Sequence, residues 1–323
     1  MKITILGTGA FGLALGSLWH QYSNSDIVFW TSFQEEEEEI TKHHTYQRVL
    51  PGITLKEDLV VTKDLKEAIR KTNLIVLAVP CGAVRSVLKQ VNEVAQGPHH
   101  YLFVSKGLEK GSNDLMYDIF KEQNTLGTFS YLAGPTFAKE LIQNIPTGMT
   151  LATREEEVEA IVKTLFQNKA IEIEISRDLI GVEYASVIKN ILAIFMGALG
   201  VRYDIDSTKA YFLTEMVHQM ESLLISLGGE KRTIYTYSGI GDLILTCNSI
   251  NSRNYRYGRL LEQDREKAEE FLHANTVEGR YALDAILEVC QEKKISASLL
   301  IFMKDYIDKK ISLEEIFKLF RKE

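Results

Sequence analysis

Apolar and polar positions change rhythm once along this chain, just after Ser176. Before that point, short apolar runs alternate with amphipathic ones. Ile3–Leu6, Ile27–Trp30, Leu74–Val79, Tyr101–Val104 and Ser130–Leu132 read as strands. Leu13–Tyr22, Leu65–Lys71 and Val84–Val94 have helical spacing and lie between them. Such alternation predicts a doubly wound parallel sheet. Thr147–Ala152 and Ile171–Ile175 read as its last strands. Beyond Ser176 the strand-like runs stop and a 3.6-residue apolar period takes over. Pro146 is the last proline, which suits a helical second half. The pattern predicts an α/β domain over residues 1–176 and an all-α domain over 177–323, with a long helix beginning near Gly181. No linker-like segment separates them, so a rigid seam is expected, and such seams commonly house a substrate.

At ~150 residues per domain, 323 residues agree with two domains. The formal net charge of -7 leaves no chain-wide basic field for nucleic acid or anionic lipid. Cys81, Cys247 and Cys290 stand apart, without C-x-x-C spacing, and read as reduced thiols of a cytoplasmic protein. The longest uninterrupted apolar run, Ile191–Val201, falls short of the ~20 residues a membrane span needs, so no membrane insertion is expected. No signal peptide is expected either, because Lys2–Leu6 opens directly on a strand. His43-His44 and His99-His100 are adjacent pairs rather than helix-spaced ligand pairs, and no metal site is expected. No Ser/His/Asp or Cys/His arrangement for nucleophilic catalysis is apparent.

Gly7-Thr8-Gly9-Ala10-Phe11-Gly12 follows the first strand and opens the first helix. Gly7 permits a tight turn, Gly9 lets backbone approach a pyrophosphate, and Gly12 lets helix and strand pack closely. The helix N-terminus then binds the anion. In this position the motif predicts a Rossmann-like dinucleotide site, with an NAD(P)H cofactor. An acidic residue often ends the second strand where NAD is preferred. Here Thr31, Ser32 and Phe33 follow Trp30, with no Arg nearby to claim a 2′-phosphate. Ser32 is a candidate cofactor contact. The run Glu35–Glu39 reads as a solvated helix start, and any field it exerts opposes the extra phosphate of NADP. NADH is therefore slightly favoured.

Three further segments carry candidate chemistry. Ser105-Lys106-Gly107 and Gly134-Pro135-Thr136 each follow a strand, on the edge where open α/β sheets meet ligands. Lys106 could meet a phosphate or a carbonyl, although alone it reads as a solvated loop lysine. Gly134 and Thr136 offer N–H groups and a hydroxyl. Lys189-Asn190 interrupts an apolar helix. A buried lysine is costly unless paired, and desolvation lowers its pKa toward the range of proton transfer. Alone, such a lysine more often snorkels from a helix edge. Asp242 and Thr246, four residues apart, share a helix face, and Asp242 is a possible partner for Lys189. Ser252, Arg253 and Asn254 follow, with Arg253 offering a planar fork for phosphate.

In combination and order, these pieces resemble the NAD(P)-dependent glycerol-3-phosphate dehydrogenases over nearly the whole chain. The likeness rests on G-T-G-A-F-G, A-V-P at Ala78–Pro80, S-K-G-L-E, A-G-P-T-F-A-K-E-L, the K-N pair, G-I-G-D-L-I-L-T-C, S-R-N-Y-R-Y-G and V-E-G at Val277–Gly279. The resemblance implies reduction of dihydroxyacetone phosphate to glycerol 3-phosphate, feeding phospholipid synthesis. A homodimer is a candidate assembly, although the sequence does not set the oligomeric state. It implies that Lys189 is the general acid/base with Asp242 beside it, and Lys106 the second candidate. Lys106, Gly134, Thr136, Ser252, Arg253 and Asn254 would handle substrate, with Asn190 and Thr246 next to them. Ala10, Phe11, Lys106, Ala138, Arg253 and Glu278 would touch the dinucleotide, together with Gly7, Gly9 and Gly12. The chain departs from the family's usual residues at Ala185-Ser186 (often Gly-Gly), Gly200 (Asp), Ser207 (Asn) and Glu215-Met216 (Arg-Gly). Two rival readings follow from that cluster: a related dehydrogenase of another small phosphate or carboxylate, or a dinucleotide-binding regulator without catalysis. Retention of Lys189, Asp242 and Arg253 argues against the regulator.

Overall fold

The computed structural model describes residues 1–167 and 170–320. Two compact units emerge: residues Met1–Lys106 with Asp114–Leu179, and Gly107–Asn113 with Ile180–Glu323. A single cut near residue 177 would leave Gly107–Asn113 in the first unit; the structure groups that loop with the second. One anchor is Asn113, whose side-chain amide donates to Glu288 at 2.6 Å.

The first unit runs β1 (Lys2–Leu6), α1 (Ala10–Tyr22), β2 (Asp26–Trp30), α2 (Gln34–His43), β3 (Val60–Thr62), α3 (Leu65–Ile69), β4 (Leu74–Leu77) and α4 (Cys81–Val94). It continues through β5 (His99–Phe103), α5 (Met116–Glu122), β6 (Gly127–Ala133), α6 (Ala138–Leu141), β7 (Thr147–Ala152), α7 (Glu156–Phe166) and β8 (Ile171–Ser176). The eight strands form one sheet in the order β3-β2-β1-β4-β5-β6-β7-β8. Its first six follow the doubly wound order, whose direction reverses between β1 and β4. The central strand β4 is apolar throughout because both faces are covered: all four of its residues are buried. α1 packs with α6 and α7 while α4 packs with α3 and α5, giving separate helix layers.

The sheet is not wholly parallel. β6 and β7 pair antiparallel, Tyr131 opposite Ala152. Residues 134–146 join them through only the four-residue α6, too little for the long crossover that parallel neighbours require. β3, α5 and α7 were not among the expected elements, and of α2 only a helix start at Glu35–Glu39 was. β3 is three residues long at the sheet edge, and α2 buries only Ile40, so neither carries much apolar pattern.

The second unit is helical: α8 (Leu179–Arg202), α9 (Asp206–Ser226), α10 (Asp242–Asn248), α11 (Arg253–Gln263), α12 (Arg265–Ala274), α13 (Glu278–Glu292), α14 (Ser298–Ile307) and α15 (Ile316–Phe320). α8 spans 24 residues, so by length and composition it could cross a membrane. The expectation from Ile191–Val201 counted only the uninterrupted apolar run, whereas the helix continues through Lys189 and Asn190. In the structure 94% of its most apolar window is buried, which makes α8 a core helix. α11 and α13 approach α8 backbone to backbone. A Cβ on Gly258 would stand 1.8 Å from Ile194 O, and one on Gly279 2.3 Å from Asn190 O.

Candidate active site

In the first unit the candidate residues collect at the carboxyl ends of β1, β4, β5 and β6. The loop after β1 holds Gly7 at φ +111°, a backbone region that side chains rarely adopt. Gly7 N donates to Trp30 O at 2.8 Å, which ties the loop to the end of β2. A Cβ on Gly12 would meet that of Ala78, after β4, at 2.7 Å. This places α1 hard against the switch point between β1 and β4. Gly9 caps α1 with no side-chain hydrogen bond, so the helix's first N–H groups are not met by a cap. A Cβ on Gly9 would come no closer to its surroundings than 3.7 Å, at Ala78 O, so the loop's outer side is open. Uncapped N–H groups, the positive helix end and open space beside the glycines fit a dinucleotide pyrophosphate.

Lys106 follows β5. Its Nζ donates to Gly134 O at 3.3 Å and lies 6.0 Å from the Phe11 ring centroid. Three positions chosen separately along the sequence thus share one edge of the sheet. Gly134 is packed tightly, since a Cβ there would be 2.7 Å from Gly148 O. The Thr136 hydroxyl is buried without a hydrogen-bond partner. A buried hydroxyl left in that state marks a place where a ligand or water completes the bonding. Ala138 opens α6, and Ser32 is exposed just beyond β2.

Glu36 is a functional candidate that the sequence reading passed over. The view of Glu35–Glu39 as a solvated helix start fits exposed Glu35 but not Glu36. The Glu36 carboxylate accepts from Thr31 Oγ1 at 2.6 Å, from Tyr46 OH at 2.8 Å, and from Thr8 Oγ1 inside the glycine loop. Burial alone would raise its pKa. The hydroxyl donors outweigh burial and hold the carboxyl below its ordinary range. Tyr46 is pushed up to about 12, by burial first and by Glu36 second. The available signal was phase: Glu36 precedes the buried Ile40 by four residues and so shares its inward face.

In the second unit, Lys189 and Asp242 are 4% and 1% exposed and form a direct ion pair between α8 and the start of α10. Thr246 Oγ1 donates to the other Asp242 oxygen at 3.2 Å. Burial pushes the neighbouring Cys247 thiol upward, so it stays protonated and inert. Asn190 Nδ2 donates to Glu278 at 3.1 Å, and Asn254 Nδ2 donates to Asn190 Oδ1 at 3.0 Å. Asn254 Oδ1 then accepts from Gly279 N at 2.9 Å. Residues expected to serve different ligands thus form one network across α8, α11 and α13. Ser252 Oγ caps α11 by accepting from Tyr255 N at 3.2 Å, while Arg253, the first helical residue, is exposed. Among the described residues no group of three or more His, Cys, Asp or Glu is placed to hold a metal ion.

A glycine loop at the switch point of a doubly wound sheet, together with a helical unit built round a buried lysine–carboxylate pair, defines a dinucleotide-dependent oxidoreductase. The model for the N-terminus of NAD-dependent glycerol-3-phosphate dehydrogenase matches residues 2–159, and that for its C-terminus residues 178–318. The chain belongs to this family. It is 34% identical over 304 residues to a glycerol-3-phosphate dehydrogenase [NAD(P)+] of Fusobacterium nucleatum subsp. nucleatum, covering 93% of this chain and 90% of that one. A Macrococcus caseolyticus protein of the same name is 31% identical, covering 95% of each. A crystal structure of glycerol-3-phosphate dehydrogenase from Coxiella burnetii aligns with a TM-score of 0.88 at 25% identity, covering 99% of both chains.

Proposed function

We propose that this enzyme reduces dihydroxyacetone phosphate to glycerol 3-phosphate at the expense of NADH or NADPH, with Lys189 as proton donor. The observation that carries the mechanism is the buried Lys189–Asp242 pair. An ammonium inside an apolar helix is costly, and Asp242 offsets that cost by supplying its counter-charge. When bound, the reduced dinucleotide supplies the hydride for the substrate's C2 carbonyl. Lys189 gives its proton to the oxygen as negative charge develops there, and takes it back in the reverse direction. Thr246 fixes one Asp242 oxygen and leaves the other for the lysine. Arg253, exposed at the start of α11, holds the substrate phosphate with Ser252 and Asn254, so that remote binding energy orients the carbonyl. Lys106, Gly134 and Thr136 are further proposed polar contacts to substrate, and the unpartnered Thr136 hydroxyl supports that role. The glycine loop and the start of α1 hold the pyrophosphate, with Ala10, Phe11 and Ala138 alongside. Glu278, bonded to Asn190, is a proposed dinucleotide contact. A cytoplasmic setting agrees with three scattered cysteines that lack C-x-x-C spacing. The proposed homodimer is tested by sedimentation equilibrium.

The deciding assay follows loss of reduced nicotinamide absorbance with dihydroxyacetone phosphate and, separately, with dihydroxyacetone. Turnover that depends on the phosphate is expected. Turnover of another small ketone in preference to dihydroxyacetone phosphate would overturn the substrate assignment. No turnover with any ketone would leave a non-catalytic binder.

A further inference from the structure

The glycine loop alone does not discriminate between NADH and NADPH, because both carry the same pyrophosphate. They differ at the adenosine ribose, whose 2′ oxygen is a hydroxyl in one and a phosphate ester in the other. In a doubly wound sheet that ribose lies by the carboxyl end of the second strand. Here the register sets Leu6 of β1 beside Trp30 of β2, so the glycine loop and Thr31–Phe33 are neighbours. The Glu36 carboxylate sits across that junction, bonded to Thr8 on the loop side and Thr31 on the strand side. A carboxylate has about four acceptor positions, and Thr8, Thr31 and Tyr46 take three of them. One remains for an incoming hydroxyl. Phe33, in the same segment, is 63% exposed and offers a flat apolar face to an adenine ring. Lys63, just beyond β3, donates to Gln34 Oε1 at 3.2 Å. Arg48 also acts on Glu36 through space.

We propose that Glu36 is the residue that sets cofactor choice, accepting a ribose hydroxyl of NADH and repelling the 2′-phosphate of NADPH, with Phe33 stacking on the adenine. This rests on reading the first unit as the dinucleotide site. A like-charge contact at this range is large at low ionic strength and fades with added salt, so the discrimination is electrostatic and salt-sensitive.

Direct binding tests it, by calorimetric titration of the intact protein with NADH and with NADPH at low salt. The wild type binds NADH about tenfold or more tightly than NADPH, the scale of one poorly screened like-charge contact. Adding salt narrows that ratio. Glu36→Gln moves it toward one, chiefly by tightening NADPH, and Phe33→Ala weakens both dinucleotides alike. Equal affinities or an NADPH preference in the wild type would overturn the proposal and make Lys63 the phosphate-reading group. An unchanged ratio in folded Glu36→Gln would reduce Glu36 to a tie between α2 and the loop, which also overturns it. The wild-type ratio needs no variant, so it decides the matter even if Glu36→Gln does not fold. Failure of the wild type to bind either dinucleotide would instead bring down the cofactor reading itself.

Discussion

The glycine loop of the first unit and the lysine helix of the second meet opposite demands. In the proposed scheme the loop binds by what it lacks: no side chain at three positions, no side-chain cap on α1, open space beyond Gly9. Its proposed useful groups are backbone N–H donors, which no substitution short of proline deletes. The lysine helix works by what it contains. α8 is buried on all sides, and the Lys189 charge, its proposed reactive group, is tolerated because Asp242 faces it. Substitutions should therefore separate cleanly. Changes on α8 and α10 should alter turnover with cofactor affinity intact, and changes in the loop should do the reverse.

The largest effect is expected at Lys189. Lys189→Ala removes the proposed general acid, a group that typically contributes ~10²–10⁴-fold in rate. NADH affinity, measured by fluorescence titration, should hardly change. Near-normal kcat in a folded Lys189→Ala protein would transfer the role to Lys106. Asp242→Asn should act in the same direction, because the lysine loses its counter-charge and its position. The double substitution should cost less than the product of the two, since the pair acts as one unit.

Arg253 comes next. A charge-assisted hydrogen bond is worth ~1.5–3 kcal/mol, so Arg253→Ala should lower kcat/KM for dihydroxyacetone phosphate by about 10- to 100-fold. With dihydroxyacetone the loss should be much smaller. Equal losses on both would assign Arg253 to the cofactor or the fold. The mutant also tests the contrast directly, since an exposed arginine should carry binding without carrying the protein's stability.

The two regions also differed in how far they could be read from sequence. The loop was legible because a fixed local spacing, strand then glycines then helix, has one good structural solution. The lysine was legible as an anomaly in an apolar helix, yet its pairing with Asp242 spans residues 189 to 242 and came from family likeness rather than spacing. Glu36 was hidden among like neighbours, where composition suggests solvent and only its phase with Ile40 marks the inward face. The antiparallel β6–β7 pair was missed because apolar runs carry no direction. The network of Asn190, Asn254 and Glu278 was missed because each residue meets its partner only through the close approach at Gly279. Gly200, one of the departures from the family, faces the Tyr255 hydroxyl: a Cβ there would lie 2.9 Å from it. A tyrosine thus occupies room that a side chain at position 200 would need.

The smallest effect, and the sharpest test of the contrast, is expected at Gly9. Its backbone, at φ -63° and ψ 164°, is open to any residue, and the added methyl would come no nearer than 3.7 Å to Ala78 O. Two stability effects then oppose each other in Gly9→Ala. Alanine narrows the unfolded ensemble, which stabilises by ~0.4–1 kcal/mol. Alanine is also a poor N-cap, which costs about 0.5–2 kcal/mol relative to good ones and somewhat less relative to glycine. The net change in the ligand-free protein should be small, and its melting temperature should barely move. Bound dinucleotide is different, because the methyl projects into the side of the loop assigned to pyrophosphate. Displacing one backbone N–H bond is worth ~1 kcal/mol, or about five-fold in affinity. NADH and NADPH should weaken alike, since both carry the pyrophosphate, while kcat at saturating cofactor stays near normal. Unchanged affinity for both dinucleotides would show that the pyrophosphate does not lie on this loop, and the division of labour between the two regions would fail at its simpler end.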